Sequence, residues 1–266
     1  MPTKLGSYTF EDFGLIEEFG HVHPSTPEFT EQTVAIPGRP GLISFGVQIG
    51  AKQFNLPVKV FVRDRYERQR RKNKFVAFLF DEYWQPREFK LSFDYEPDKY
   101  YLVKVSSQFT PEMLFQMDQF DLPLVANNPT KYFLLGADEI RISSHIPILS
   151  HVRPARHSFS ITANQTLKLI NDGTLALKPR ISISGTATTL NIKNTRSNQS
   201  FSVSNIVSNK PIIINAEVYM VTEGGVDKFS KLVGSFLDLL PGENTLEVTG
   251  QDLNLTLSFK YQFQYM

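Results

Sequence analysis

The alternation of apolar and polar positions predicts most of this chain to be β-strand. At 53–62 the even positions Phe54, Leu56, Val58, Val60 and Val62 are apolar, a period of two. At 253–265 the residues Leu253, Leu255, Leu257, Phe259, Tyr261, Phe263 and Tyr265 alternate with polar side chains without a break. That pattern predicts one strand with one face on a core and the other in water. Slipping its register by one residue would turn every large side chain outward. Shorter alternating stretches predict strands at 8–16, 42–49, 89–93, 100–105 and 113–120. In the second half they predict strands near 159–162, 166–170, 180–184, 188–193, 200–206, 211–219 and 245–249. Turn signals separate them. Pro37-Gly38 suits the central positions of a type II turn. Residues 94–99 join the strands at 89–93 and 100–105 into a hairpin. Asn171-Asp172-Gly173, Glu223-Gly224-Gly225 and Pro241-Gly242-Glu243-Asn244 close turns farther on.

One stretch has the helical period instead. From Arg63 to Trp84 no Gly or Pro intervenes, Asp64 suits an N-cap, and Gln85 before Pro86 is biased out of the α region. Val76, Leu79, Phe80 and Tyr83 form an apolar stripe predicted to pack on a sheet. The first half of the stretch is basic, with seven Lys or Arg in the twelve residues 63–74. At about 100° per residue these cations wrap the helix rather than line one face. Arg68, Arg70, Arg71 and Lys72 are therefore read as a solvated or subunit-contacting surface, ahead of a dedicated nucleic-acid site.

Asn127-Asn128-Pro129 opens a Pro- and His-containing passage to about residue 158, the expected junction. The division expected is a first domain at 1–128 and a linker plus second domain at 129–266. Many short strands with regular turns predict β-sandwiches, the first carrying a single helix.

Composition narrows the chemistry. The chain has 266 residues, 41% hydrophobic and 12% aromatic, enough for globular cores. Its formal charge of +1 excludes a general polyanion binder, so any basic feature is local. With no cysteine there is no disulfide framework, thiolate metal site or Cys nucleophile, which fits folding in a reducing cytosol. The N-terminus shows no apolar signal segment. The longest apolar run, Phe75–Phe80, is far short of the about twenty residues of a membrane span, so a soluble chain is expected.

Candidate sites are sparse. His21 and His23 fall on one face of an extended segment, but zinc wants three or four ligands and the remaining histidines are distant in sequence. The pair is read as part of a polar loop. Asp94–Asp98 starts like a calcium loop, but Lys99 stands where Gly is needed and Val105 where the bidentate Glu belongs. No nucleophile-elbow, phosphate-loop, dinucleotide or zinc-protease motif occurs. Acids are spread without local pairing, so no catalytic, cofactor-binding or metal residue is assigned and no enzyme is expected. Tyr219, Tyr261 and Tyr265 are the aromatics available to a sugar in the second half, core packing being the default for the last two. The polar stretch Asn191–Asn209 is read as edge strands and loops.

The order of features resembles a known family. Phe13-Gly14-Leu15 leads to Ile36-Pro37-Gly38-Arg39-Pro40-Gly41, then a strand pair, the charged helix, and Leu91-Ser92-Phe93 running into Asp94–Tyr101. Asn171–Thr174, Lys178–Gly185 and Phe236–Asn244 follow. In this order they resemble the distal tail proteins (Dit) of siphophages that infect Gram-positive bacteria. The resemblance implies a ring-forming N-terminal β-sandwich with one helix and a long hairpin. It implies a C-terminal sandwich that is galectin-like or carbohydrate-module-like. It further implies a hexamer, with stacked rings as an option, located in the virion at the tail tip. That hexamer would join the tail tube protein to the tail-associated fibre or baseplate hub protein and pass DNA as cargo, with Arg68, Arg70, Arg71 and Lys72 facing solvent, a neighbouring subunit or the DNA channel, and with no membrane partner and no cofactor. The alternative is a carbohydrate-binding adhesin of the host-recognition apparatus.

Overall fold

In the computed structural model, which describes residues 3–140, 150 and 152–266, the two predicted core-facing alternations are present as strands. The chain divides into two compact units, the first running through Lys131 and the second spanning Tyr132–Tyr265.

The first unit holds β1 (Lys4–Leu5), β2 (Tyr8–Thr9), β3 (Ile16–Glu17), β4 (Phe29–Ala35), β5 (Leu42–Ile49) and β6 (Lys52–Phe61). The helix α1 (Arg65–Leu79) follows, then β7 (Phe89–Ser92), β8 (Lys99–Val105), β9 (Glu112–Met113) and β10 (Met117–Ala126). The antiparallel order is β2-β1-β7-β8-β10-β6-β3, with β9 on β10. β6 and β10 pair along their full length, from Met117 against Phe61, with Asp118 against Val60 next to it, to Ala126 against Lys52 at the other end. The even positions of both strands are buried. The core face of this ladder is thus apolar in its middle, with Leu56, Val58, Phe120, Leu122 and Leu124, and charged at each end, with Asp118 and Lys52.

Two readings are corrected here. Residues 8–16 are not one strand: Phe10–Phe13 is a 3₁₀ turn, because the Asp12 carboxylate accepts the Thr9 amide at 2.7 Å and Gly14 leaves it with φ +70. The turn sets Phe10 and Phe13 on one side, where both rings meet Phe75 of α1. The strand expected at 113–120 is β10, shifted and extended to Ala126.

In the second unit Arg180–Asn194 is one strand rather than two. Its first part pairs with Ile212–Asn215 and Asn254–Lys260, and its later part with Gln199–Ile206 and Gly242–Gln251. It changes partners around Gly185, which has φ +126. A Cβ there would lie 2.3 Å from the Asn254 carbonyl oxygen and 2.5 Å from Leu255 Cα. Gln199–Ile206 lies between Arg180–Asn194 and Leu232–Gly234, so this part of the polar stretch 191–209 is not a sheet edge. Met220–Glu223 and Val226–Asp227 are strands the polar pattern hid, and 211–219 shortens to Ile212–Asn215. The C-terminal alternation holds in burial through Phe263, although the strand itself is Asn254–Lys260.

The turns that carried the resemblance are closed by buried asparagines. Asn171 donates to the carbonyls of Leu175 and Leu239 at 2.8 and 2.9 Å. Asn244 donates to the Leu240 and Gly242 carbonyls and accepts from the Leu240 amide. Within the stretch read as a linker, Phe133, Ala137 and Ile140 are buried in the second core. The rest of that stretch from 141 to 149, with His145, and His151 lie outside the described residues.

Candidate assembly surface

The helix presents a face that apolar periodicity did not foresee. Asp64 caps it, accepting from the Tyr66 amide at 2.9 Å. Its buried residues are Arg68, Lys72, Phe75 and Leu79, a single stripe at helical spacing. Of the predicted stripe only Leu79 is fully buried, and Tyr83 is 81% exposed. The helix also ends at Leu79, short of Trp84. Asp81 is the reason: its Oδ1 accepts from the amides of Tyr83 and Gln85, a side-chain turn that competes with helical bonding. Trp84 is left in the left-handed region at φ +62.

Arg68 and Lys72 are therefore corrected from surface residues to buried ones, 3% and 7% exposed. The cause is Asp118, which stands in the core-facing phase of β10. A carboxylate taken out of water must be paired. Lys72 Nζ lies 2.6 Å from Asp118 Oδ2, and Arg68 Nη1 lies 3.1 Å from Oδ1 while donating to the Leu114 carbonyl at 3.0 Å. Asp118 Oδ1 is in ion-pair range without hydrogen-bond geometry, and Arg68 Nε is buried with no acceptor among the described residues. Two cations thus face one carboxylate. Arg71 is half-buried, held by Glu67 at 2.9 Å and the Gly14 carbonyl at 3.1 Å. Of the four, only the Arg70 side chain is largely in water, 79% exposed, beside Glu67 at 2.8 Å.

A larger exposed feature is the ribbon β4–β5, which pairs only with itself among the described residues. Every residue of β4 and all of β5 except Ile43 are exposed, including Phe29, Val34, Leu42, Phe45, Val47 and Ile49. Its turn contains Gly38 at φ +82, with the Arg39 amide bonded to the Ile36 carbonyl at 3.1 Å, as Pro37-Gly38 predicted. A bulge places Phe45 and Gly46 between the Glu31–Val47 and Thr33–Ser44 pairs.

His21 and His23 do not form a bare polar loop. Both stack on Phe93, with ring centroids 5.2 and 4.8 Å away, and both approach the Tyr95 hydroxyl. No group of three or more metal-ligating side chains occurs among the described residues. Burial, aided by Lys52 and Lys131, lowers the His23 pKa to about 4. Between pH 6.5 and 4 the unfolded chain binds more protons at this site than the folded one, so stability present above 6.5 is lost as pH falls through that window. With the ring half in solvent, the expected loss is about 1–2 kcal/mol. Urea melts at pH 7 and pH 4.5 should show that part of the difference vanishing in His23→Gln; an unchanged difference refutes the assignment.

Lys52 donates to the Tyr101 hydroxyl at 3.0 Å, and burial lowers its pKa. In the second unit Tyr261 is buried and donates to the Ile170 carbonyl at 2.9 Å. Tyr265 is half-buried. Tyr219 is exposed, its hydroxyl accepting from Lys178 and its ring set edge-on to Phe236. No helix is long and apolar enough to cross a membrane among the described residues.

Known proteins share both units. Residues 8–126 match the phage tail protein RIFT-related domain, and residues 172–265 match the C-terminal domain of the siphovirus-type tail component. The Dit protein of phage SPP1 shares the fold over 100% of this chain and 99% of its own, with a TM-score of 0.72 and 13% identity. Its structure is described as a paradigm of the hub adsorption apparatus in phages infecting Gram-positive bacteria. A chain of the activated phage p2 baseplate aligns at a TM-score of 0.42 and 10% identity, over 96% of this chain and 92% of its own. No curated protein matches the chain. With the two domain matches in this order over most of its length, the chain belongs to the distal tail protein family of siphophages, components of the virion's tail tip.

Proposed function

We propose that the chain closes through its first unit into a hexameric ring, a hub that joins the tail tube to the fibre or baseplate and leaves a central passage for DNA. The β4–β5 ribbon carries this reading. A lone two-stranded hairpin is marginal in water, and this one is exposed on both faces and apolar at Phe29, Leu42, Phe45, Val47 and Ile49. Residues of that kind, without a core of their own, fit a surface that becomes covered on assembly. A ring of identical subunits needs one patch set against a different patch, and the ribbon is one such patch. The fold shared with a protein described as a hub supports the same reading. The role is structural, with no chemical step.

Negative-stain images and mass photometry of the full chain are expected to show six-fold rings. A strictly monomeric mass at high concentration would sink the proposal. The exposed part of the basic helix is tested separately by Arg70→Gln with Arg65→Gln, both exposed side chains. Lost rings assign these residues to a subunit contact, and intact rings with slowed DNA ejection assign them to the passage. No change in either assigns them to solvent.

One observation favours the adhesin as a second reading: Tyr219 and Phe229 are exposed together around Phe236. Glycan arrays with the full chain and with Tyr219→Ala test it, and absence of binding by the unaltered chain rejects it.

A further inference from the structure

The histidine pair of the first unit meets a partner that its sequence neighbourhood does not contain. His21 and His23 flank Val22, which bridges to Asn55 in extended form, so both rings leave the same face, their centroids 6.4 Å apart. Both aim a ring nitrogen at one oxygen. His21 Nε2 lies 3.5 Å from Tyr95 Oη, and His23 Nδ1 is hydrogen-bonded to the same atom. Tyr95 stands in the turn between β7 and β8, 74 and 72 residues further along the chain. The Phe93 ring stacks on both imidazoles, at 14° to His21 and 22° to His23, and fixes their planes.

Two imidazoles are one donor short of a metal site, and no further imidazole, thiolate or carboxylate completes the set among the described residues. The phenol oxygen does. Nitrogen and oxygen bonded to zinc at about 2.0–2.1 Å stand about 3.3 Å from each other. The His21–Tyr95 separation already fits, and the ion would take the place of the proton that joins Tyr95 to His23. One proton then leaves to solvent, the phenol becomes a phenolate, both imidazoles stay neutral, and nothing is oxidised or reduced. A metal-bound imidazole needs an acceptor for its other N–H. His23 Nε2 has one in Tyr101 Oη at 3.4 Å, which Lys52 holds at 3.0 Å. A cavity of about 350 Å³ opens beside His21 with Glu11, Glu17, Glu18 and Asp94 in its walls, a field that draws cations in. The cations acting on His23 are Lys52 and Lys131, and Glu96 offsets Lys131 at 2.5 Å.

We propose that His21, His23 and Tyr95 bind a single zinc ion, with water in the fourth position. The ion is structural: it clips the segment leading into β4 onto the β7–β8 turn, joining two parts of the first unit that are remote in sequence. The site stands whether or not the chain forms rings.

The untagged full chain, stripped with a chelator and titrated with zinc chloride alone, should bind one ion per chain. Binding should bring up the ultraviolet difference band of one tyrosinate at neutral pH and raise the melting temperature of the first unit. Tyr95→Phe removes only an oxygen from a half-exposed ring. It should lose the band and bind about tenfold or more weakly. His21→Gln and His23→Gln should each weaken binding by a similar factor, whereas His157→Gln, in the second unit, should bind like the unaltered chain. Zinc taken up without the tyrosinate band, or with equal affinity in Tyr95→Phe, is adventitious binding to histidine and overturns the inference. Absence of binding overturns it as well. The band is read on the unaltered chain, so it decides the matter even where a variant folds poorly.

Discussion

Asp118→Ala is expected to destabilise the first unit by about 3–5 kcal/mol, because it strands Arg68 and Lys72 in the core without their carboxylate. The loss should show as a lower denaturant midpoint with the slope retained. The triple replacement Asp118→Leu, Arg68→Met, Lys72→Leu separates missing charge balance from missing packing. Replacing a whole buried ion group by apolar residues of similar size is often neutral or stabilising by about 1–4 kcal/mol. The triple variant should therefore recover most of what the single one loses. If the single variant costs under about 1 kcal/mol, a typical surface effect, the trio is not the buried element described above.

The second large effect belongs to the other unit. Gly185→Ala would bring a Cβ against the Asn254 carbonyl and Leu255 Cα, both backbone, at a φ of +126 that L side chains avoid. A loss of at least about 3 kcal/mol is expected, since strain and overlap act together. In calorimetry Gly185→Ala should lower one transition and Asp118→Ala the other. If either variant moves both transitions together, the two units unfold as one block rather than separately.

How much of this was legible follows from what each residue faces. β6 and the C-terminal strand were readable because one face of each meets a core, and a core imposes a period of two. β4 was missed because a ribbon in water on both faces is under no such constraint: Phe29-Thr30-Glu31-Gln32-Thr33-Val34-Ala35 has no period to find. The basic helix misled for a related reason. Arg68 and Lys72 are ordinary surface residues until Asp118 is placed beside them, and that contact is remote in sequence. A signal did exist, since Asp118 stands in phase with Phe120, Leu122 and Leu124. A lone acid in a core-facing phase demands a buried cation. The 3₁₀ turn also left a trace, with Thr9 followed by Asp12 at capping spacing. The family resemblance survived these misses because it leaned on turns. The buried Asn171 and Asn244 each bind several backbone groups, which fixes residue identity far more tightly than a strand does.

The charged ends of the β6–β10 ladder act as a ruler. Alternation forbids a shift by one residue, but a shift by two keeps every face correct and apolar burial barely notices it. Such a shift moves β10 by about 7 Å along its partner. It would draw Asp118 out of reach of Lys72 and Arg68, leaving a buried acid and two buried cations unmatched. The trio thus rejects the nearest wrong alignment that the apolar pattern alone accepts. Removing it should yield a unit that is as stable as before yet less certain of its own register, visible as a second set of amide signals from β10.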